Sequence, residues 1–373
     1  MAKAAGDACN LACRYCYYLG KGQTLYPHHP TRLMSDEVLE EYVRQYIASA
    51  QGGDVLFTWH GGEPLLRPLA FYRKAVELQQ RYASAGQHID NALQTNGTLI
   101  NTEWADFLAT NGWLVGVSID GPQDMHDHYR HTRPFGDASG FGSHELVLRG
   151  INMLKERGVM WNAMAVVTRE TTRRPLDFYR YFRDELQCQY LQFTPETESE
   201  NSAVADKEYG AFLCAIFSEW VKHDVGHFFV QMFDSTLAGW VGAMPGVCSM
   251  APVCGHAAAL EWNGDLYACD HFVDARHRLG NIMQRPIGEL MSLPQQRQVG
   301  AAKMHGLSPV CQRCRWRHLC HGGCPKDRDR NGRNILCEGL AQYFEYSADK
   351  FLKMAQLLSQ NRDASEVMLD TAK

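Results

Sequence analysis

No apolar run in this chain approaches the length of a membrane span. Its first stretch, MAKAAGDACN, also lacks the apolar core of a secretory signal. These absences lead to the expectation of a soluble, cytoplasmic protein with no membrane partner. There is no excess of positive charge either. The 37 Lys and Arg stand against 42 Asp and Glu, a formal net charge of −5, so nothing favours a nucleic-acid backbone as the main partner. Repeats and low-complexity tracts are absent. Cysteine is scarce through the middle of the chain, where only Cys188 and Cys214 occur between the two cysteine-rich ends, and both are expected to be ordinary buried thiols. The ends hold the rest of the 13 cysteines, three in residues 9–16 and eight in residues 248–337. In a chain of this character such crowding points to metal or redox chemistry rather than to disulfides. The 373 residues, 45% of them hydrophobic, suffice for one barrel and a smaller domain.

Cys9, Cys13 and Cys16 stand as C-x3-C-x2-C within CNLACRYCYY. Three thiolates at that spacing can hold three corners of an iron–sulfur cube from one loop, whereas four-cysteine sites close their cluster. The fourth iron is then left for a small molecule. A zinc site would want a fourth ligand at matching spacing, and Tyr17 and Tyr18 are not such ligands. The pattern, with Tyr15 just before the last cysteine, resembles the signature of the radical S-adenosylmethionine (SAM) enzymes. The resemblance implies that SAM binds the open iron of a [4Fe–4S] cluster and is cleaved to a 5′-deoxyadenosyl radical. Radical chemistry of this kind belongs to the cofactor, and the protein positions and shields it.

From about residue 30 to 195, helix and strand patterns alternate. Ser35 is expected to cap a helix running to about Ala50, with Asp36 and Glu37 at its positive end. Strands are expected at 55–59, 92–94, 113–118, 161–167 and 190–193, with a first short strand before Cys9. Helices are expected at about 69–85, 102–110 and 144–157, and from the strand at 161–167 onward to about 186. A long His- and Gly-rich loop, carrying His126, His128 and His131, is expected after residue 121, facing the surface or a substrate. Strands alternating with helices imply right-handed βαβ units and a parallel sheet. The fold class is therefore α/β, and a partial (β/α)6 barrel, the usual radical SAM architecture, fits the count. The expected domains are a barrel over 1–195, a bridging helical region over 196–245 with a helix at about 207–222, and a cysteine-rich domain over 246–373. Asn263-Gly264 between two apolar runs is a strong hairpin signal. The cysteine-rich part otherwise shows little helical periodicity until a closing helix at about 335–358, expected to pack back on the barrel.

Polar and glycine-rich motifs follow the strands, where parallel α/β barrels place their chemistry. Gly61-Gly62-Glu63-Pro64 closes the second strand, and glycines let backbone approach a ligand closely. By resemblance this segment holds the amino group of SAM, with Glu63 as a suitable acceptor. His60 is a departure, since close relatives in that family often carry Gln there. Ser118 and Asp120 resemble SAM-side residues, Ser118 toward the carboxylate or ribose. Asn96 and Asn162 are further candidates for ligand contacts, and Leu191 for the flank of the adenine. A strand-end polar cap or a core position is the plain alternative for each.

Among the later cysteines, Cys254 and Cys269 are followed by Cys311-x2-Cys314-x5-Cys320-x3-Cys324 and then Cys337. This resembles the SPASM domain of radical SAM enzymes that act on peptides, and Cys248 supplies an eighth ligand. Carried over by position, the resemblance assigns Cys248, Cys254, Cys269 and Cys324 to a [4Fe–4S] cluster nearer the active site. Cys311, Cys314, Cys320 and Cys337 go to an outer one. The alternative is a pair of zinc ribbons. Arg313, Arg315, Arg317, Lys326, Arg328 and Arg330 lie among these cysteines, and cations there would offset the charge of thiolate-ligated clusters.

CNLACRYCYYL, HGGEPLL, QTNGTLI, SIDGP and the Cys269-Asp270 pair are similar to one SPASM subfamily, the anaerobic sulfatase-maturating enzymes. The resemblance covers nearly the whole chain. It implies oxidation of a Cys or Ser side chain of a nascent sulfatase, within Cys/Ser-x-Pro-x-Arg, to Cα-formylglycine. It also implies SAM, three [4Fe–4S] clusters, a flavodoxin- or ferredoxin-type electron donor, and Asp270 as general base. The rival readings are a peptide-modifying SPASM enzyme that forms a thioether or carbon–carbon crosslink, and a non-catalytic electron-transfer module.

Overall fold

A computed structural model describes residues 1–134 and 140–371. The expected loop after residue 121 therefore lies partly outside the described residues. The chain packs as two compact units, one of residues 1–118, 127–161 and 255–300, the other of residues 119–126, 162–254 and 301–373. Domain limits at 195 and 245 follow motif and composition, whereas this division follows packing.

Seven strands build the first unit: β1 (Ala2–Lys3), β2 (Val55–Trp59), β3 (Ile89–Thr95), β4 (Leu114–Ser118) and, after the rest of the fold has intervened, β8 (Ala259–Glu261), β9 (Asp265–Tyr267) and β10 (Arg278–Asn281). Their order is β10-β9-β8-β1-β2-β3-β4. The pairs from β1 to β4 are parallel, β8 also pairs parallel to β1, and β8–β9–β10 is an antiparallel meander. The Asn263-Gly264 hairpin thus extends this sheet, with Lys3 opposite Glu261.

Local chemistry sets the helices that cover the parallel strands. Ser35 accepts from Val38 N at 3.3 Å and starts the helix Asp36–Ser49. Asn101 does the same for Thr102–Thr110 through Trp104 N at 3.0 Å. Aromatic rings fill the space beneath, with Trp59 wholly buried against Tyr72 and stacked on Trp113. The ring N–H of Trp59 donates to Asn91 at 2.9 Å, and Gln79 pairs with Asn91, so this buried polar group is satisfied. The segment read as loop contains the helix Gln123–Tyr129.

In the second unit β5 (Trp161–Val167), β6 (Tyr190–Pro195) and β7 (Phe229–Val230) run parallel, and β7 is a strand beyond those expected. The single helix expected to reach residue 186 is three short ones, Arg169–Thr172, Pro175–Arg180 and the π-helical turn Tyr181–Glu185. Pro175 explains the break: the residue before a proline is pushed out of the helical region, and Arg174 sits at φ −133°, ψ 57°. The cysteine-rich part also has more helix than its pattern suggested, including Pro294–His305, a run of Gln, Ala and Lys without an apolar stripe.

The long helices Asp206–His223 and Cys337–Ser359 pack on one another around Phe217, Phe233, Tyr343 and Phe351. Gly210 and Gly339 make this possible, because a Cβ on Gly210 would lie 2.5 Å from Gly339 Cα and one on Gly339 2.1 Å from Asp206 O. Asp206 caps the second helix, accepting from Glu338 N at 3.0 Å and Gly339 N at 2.6 Å. Gly339→Ala is expected to force the pair apart at a cost of about 1–3 kcal/mol. Chemical denaturation of the variant beside the wild type measures this, and an unchanged midpoint would count against the contact.

Candidate functional site

The loop that carries Cys9, Cys13 and Cys16 leaves β1 and is held on two sides. On one side Ala12 N donates to His131 O at 2.8 Å, Arg14 N to Tyr129 O at 3.1 Å and Arg133 N to Asn10 O at 3.1 Å. On the other, Gly62 N donates to Gly6 O at 2.8 Å and Glu63 N to Ala8 O at 2.7 Å. A Cβ on Gly62 would lie 2.0 Å from Ala8 O. The glycines of the Gly61-Gly62-Glu63-Pro64 turn therefore admit the cysteine loop itself. Tyr15 packs 5.6 Å from the Tyr129 ring, with the Arg130 guanidinium 5.5 Å from its centroid.

Glu63 is fully buried. Its Oε1 accepts from Leu65 N at 2.9 Å and Thr95 Oγ1 at 2.7 Å, and its Oε2 from Asn96 N at 2.8 Å. Burial outweighs these bonds and pushes its carboxyl up to about 7. Asn96 turns its Nδ2 to Asn10 Oδ1 at 2.8 Å and to Cys9 Sγ at 3.8 Å, while Leu11 N donates to the same sulfur at 3.3 Å. Two N–H donors aimed at one thiol suit a sulfur that carries negative charge in a cluster. Ser118 accepts from Gln94 Nε2 at 3.1 Å.

At the other edge of the same unit, Cys269 leads into a short turn, Asp270–Phe272. Asp270 Oδ1 forms an ion pair with Lys3 Nζ at 2.5 Å, and Oδ2 accepts the hydroxyl proton of Tyr17. Lys3 is wholly buried and lies 3.4 Å from the centroid of the Tyr18 ring, whose hydroxyl donates to Glu261. Burial alone would raise the Asp270 carboxyl. Lys3, then His60, then the bonds from Lys3 and Tyr17 overrule it and hold the group well below the usual carboxylate range. His60 is the reverse case, where burial pushes it down to about 4 against the pull of Asp270. Its Nδ1 accepts from Gly61 N at 2.6 Å, which leaves the ring proton on Nε2. Tyr17 feels the charges of Asp270, Cys16 and Cys269 together, so it stands between the N-terminal thiols and the Cys269 turn.

In the second unit the Cys320 thiol, pushed up to about 11 chiefly by burial, also feels the charges of Cys314, Cys311 and Cys337. Cys337 opens a helix and Cys311 lies in the first turn of Pro309–Gln312. A second set, Cys254, Cys248 and Cys324, surrounds the buried Lys303, whose Nζ donates to Cys248 O at 2.6 Å and Ser249 O at 2.9 Å. Cys269 belongs to the first unit. Among the described residues no three Cys, His, Asp or Glu converge closely enough for a single metal ion. All thirteen cysteines are thiols. These donor sets fit iron–sulfur clusters.

The remaining candidates fall as follows. Asp120 Oδ1 accepts from Val166 N at 2.9 Å, Leu191 is buried, and Asn162 keeps a buried Oδ1 with no hydrogen-bond partner. The three histidines of the expected surface loop do not act together. His126 is fully buried and its Nδ1 accepts from Asp120 N at 3.3 Å, while His128 is exposed. Cys188 is buried as expected, but Cys214 is only half-buried. Lys3, Tyr17, Tyr18, Glu261 and Lys303 were not singled out from the sequence. Tyr17 and Tyr18 carried a signal in directly following Cys16. Lys3 and Lys303 carried none, since a lysine is ordinarily read as solvated.

The Radical SAM superfamily model matches residues 5–182, and the SPASM model, an iron-sulfur cluster-binding domain, matches residues 248–315. A serine-type anaerobic sulfatase-maturating enzyme of Bacteroides thetaiotaomicron is 47% identical, over 98% of this chain and 93% of its own. A cysteine-type enzyme of the same name from Clostridium perfringens is 32% identical, over 95% of this chain and 97% of its own. Among solved structures, native anSMEcpe with bound AdoMet and Kp18Cys peptide superposes with a TM-score of 0.86 at 31% identity, over 95% of this chain and 98% of that one. Streptococcus suis SuiB bound to precursor peptide SuiA shares the fold alone, at a TM-score of 0.61 and 13% identity.

Proposed function

The chain belongs to the anaerobic sulfatase-maturating enzymes of the radical SAM superfamily, and from that premise we propose that it oxidises a serine or cysteine side chain of a nascent sulfatase to Cα-formylglycine. Serine is the favoured target, because the serine-type relative is 47% identical against 32% for the cysteine-type one. The substrate is a peptide segment, and Cys/Ser-x-Pro-x-Arg is the motif we assign to it. Cys9, Cys13 and Cys16 would hold the [4Fe–4S] cluster that binds SAM. Cys248, Cys254, Cys269 and Cys324 would hold the nearer auxiliary cluster, and Cys311, Cys314, Cys320 and Cys337 the outer one. When bound, these groups supply hydrogen-atom abstraction from the substrate Cβ and accept the electron left behind.

What the chain itself does centres on Asp270. The single observation that carries the reading is a carboxylate kept ionised by Lys3 and Tyr17 in the turn that follows Cys269. Asp270 takes the hydroxyl or thiol proton of the target side chain. Loss of one hydrogen atom, one proton and one electron turns a serine CH2OH into the aldehyde, and a cysteine reaches it through hydrolysis of the thioaldehyde. Lys3 and the Tyr17 hydroxyl orient that carboxylate. Asn96 and Glu63 hold the Cys9 loop against the turn that would receive the SAM amino group, while Tyr15, Ser118, Asp120, Asn162 and Leu191 stay as candidate SAM contacts. A flavodoxin- or ferredoxin-type protein would deliver the electron. No helix among the described residues is long and apolar enough to cross a membrane, and the cytoplasm is the proposed setting.

Anaerobic incubation of cluster-reconstituted protein with SAM, a reductant and a Ser-x-Pro-x-Arg peptide is expected to give the formylglycine peptide, seen by mass spectrometry as the loss of two hydrogens. A Cys-x-Pro-x-Arg peptide run in parallel measures the preference. SAM cleavage with no change in either peptide would favour the crosslinking alternative.

A further inference from the structure

The residues between Cys320 and Cys324 adopt an unusual path. His321, Gly322 and Gly323 take φ values of 45°, 76° and 67°, three left-handed residues in succession. Glycine enters that region freely, but a histidine there is strained. Such a backbone persists only when its surroundings impose it. Two side chains do so. Asn334 packs against Gly323, where a Cβ would meet its Nδ2 at 2.1 Å. Arg328 gathers the carbonyls of all three residues, with Nε donating to Gly322 O at 3.0 Å and Nη2 to His321 O at 3.3 Å and Gly323 O at 3.5 Å.

The two ends of this short path belong to different thiol sets. Cys320 lies with Cys311, Cys314 and Cys337, and Cys324 with Cys248 and Cys254 around Lys303. Arg328 feels thiols of both sets, namely Cys311 and Cys320 from one and Cys324 and Cys254 from the other. Three other cations of the basic stretch are engaged elsewhere. Lys326 pairs with Glu198 and Asp327, Arg315 with Glu345, and Arg317 donates to Gln312 O at 3.3 Å. Among the described residues no carboxylate lies within ion-pair distance of Arg328.

We propose that Arg328 is a positioning residue for both auxiliary clusters, fixing the Cys320–Cys324 path that joins them and placing one positive charge beside each. The assignment rests on the two four-cysteine ligand sets given above. A guanidinium suits the task because its planar fork can reach several carbonyls at once, which an ammonium cannot. A cation beside a cluster favours the reduced, more negative state, so its loss lowers the potential.

The test uses the full chain with Cys9, Cys13 and Cys16 replaced by Ala, so that only auxiliary clusters contribute. Iron content and EPR-monitored redox titrations are compared for Arg328, Arg328→Gln and Arg328→Lys. Arg328→Gln is expected to move both midpoints to lower potential and to reduce iron toward the loss of one cluster. Arg328→Lys is expected to retain the midpoints more nearly while losing iron as the glutamine variant does, because it keeps the charge and not the fork. If Arg328→Gln unfolds, the lysine variant decides alone through its iron content. Full iron with unchanged midpoints in both variants overturns the proposal, and a shift in one cluster only overturns the bridging role. Failure of the unmodified Arg328 protein to hold two clusters would instead overturn the ligand sets.

Discussion

Replacing Cys9, Cys13 and Cys16 together by Ala is expected to lower the iron content of the reconstituted chain from about twelve to about eight per molecule and to abolish SAM cleavage. The size of the effect follows from where the three thiols sit. They share one loop, and no other cysteine lies in the first unit until Cys269. Asn96 and Leu11 aim their N–H groups at Cys9, and with the sulfur gone these donors have nothing to offer a cluster. The outer auxiliary set should be indifferent, because Cys311, Cys314, Cys320 and Cys337 all lie within the second unit, and the nearer set keeps its own four thiols. Iron analysis with absorbance at the cluster bands reads the first half, and 5′-deoxyadenosine measured by chromatography reads the second. Full SAM cleavage by the triple variant would remove the assignment of the open cluster.

Asp270→Asn separates two steps that the wild type runs together. SAM cleavage should persist, while formylglycine formation falls by about 10²–10⁴-fold, the usual contribution of a general base. The amide keeps the shape of the carboxylate and still accepts the Tyr17 hydroxyl, so the peptide should bind. It gives up the charge that pairs with Lys3 at 2.5 Å. Lys3→Met tests the same site from the other side. It leaves a buried carboxylate without its counter-ion, a state that favours the protonated acid and so leaves less of the ionised base. Following 5′-deoxyadenosine and product peptide in one anaerobic reaction separates the steps. Wild-type rates of both products in Asp270→Asn would exclude Asp270 as the base.

Features whose cause is local were legible in the chain. Ser35 caps its helix as expected, and Asn263-Gly264 turns a hairpin because few other dipeptides can. The cysteine loop was legible because cluster chemistry dictates ligand spacing. Features that depend on distant partners were not. Lys3 is buried only because a strand formed far along the chain lies beside it, and no pattern in Ala2-Lys3-Ala4 announces this. The engagement of both Glu63 oxygens by Leu65, Thr95 and Asn96 depends on the register of the turn after β3. The helix Gln123–Tyr129 was hidden by polar residues that read as loop, and Cys214 by its place on a helix whose apolar face is elsewhere.

The pairing of β1 with β8 has a consequence for how this protein comes into being. β1 lies between β2 and β8, and Lys3 meets Asp270 only once the meander β8–β9–β10 has docked. Bringing contacts so remote along the chain together carries the entropic cost of closing the long loop between them. A chain arrested before that docking would carry the three N-terminal thiols and the Gly61–Pro64 turn without an anionic Asp270 beside them. The proposed base would therefore be complete only once this one long-range strand pair has closed.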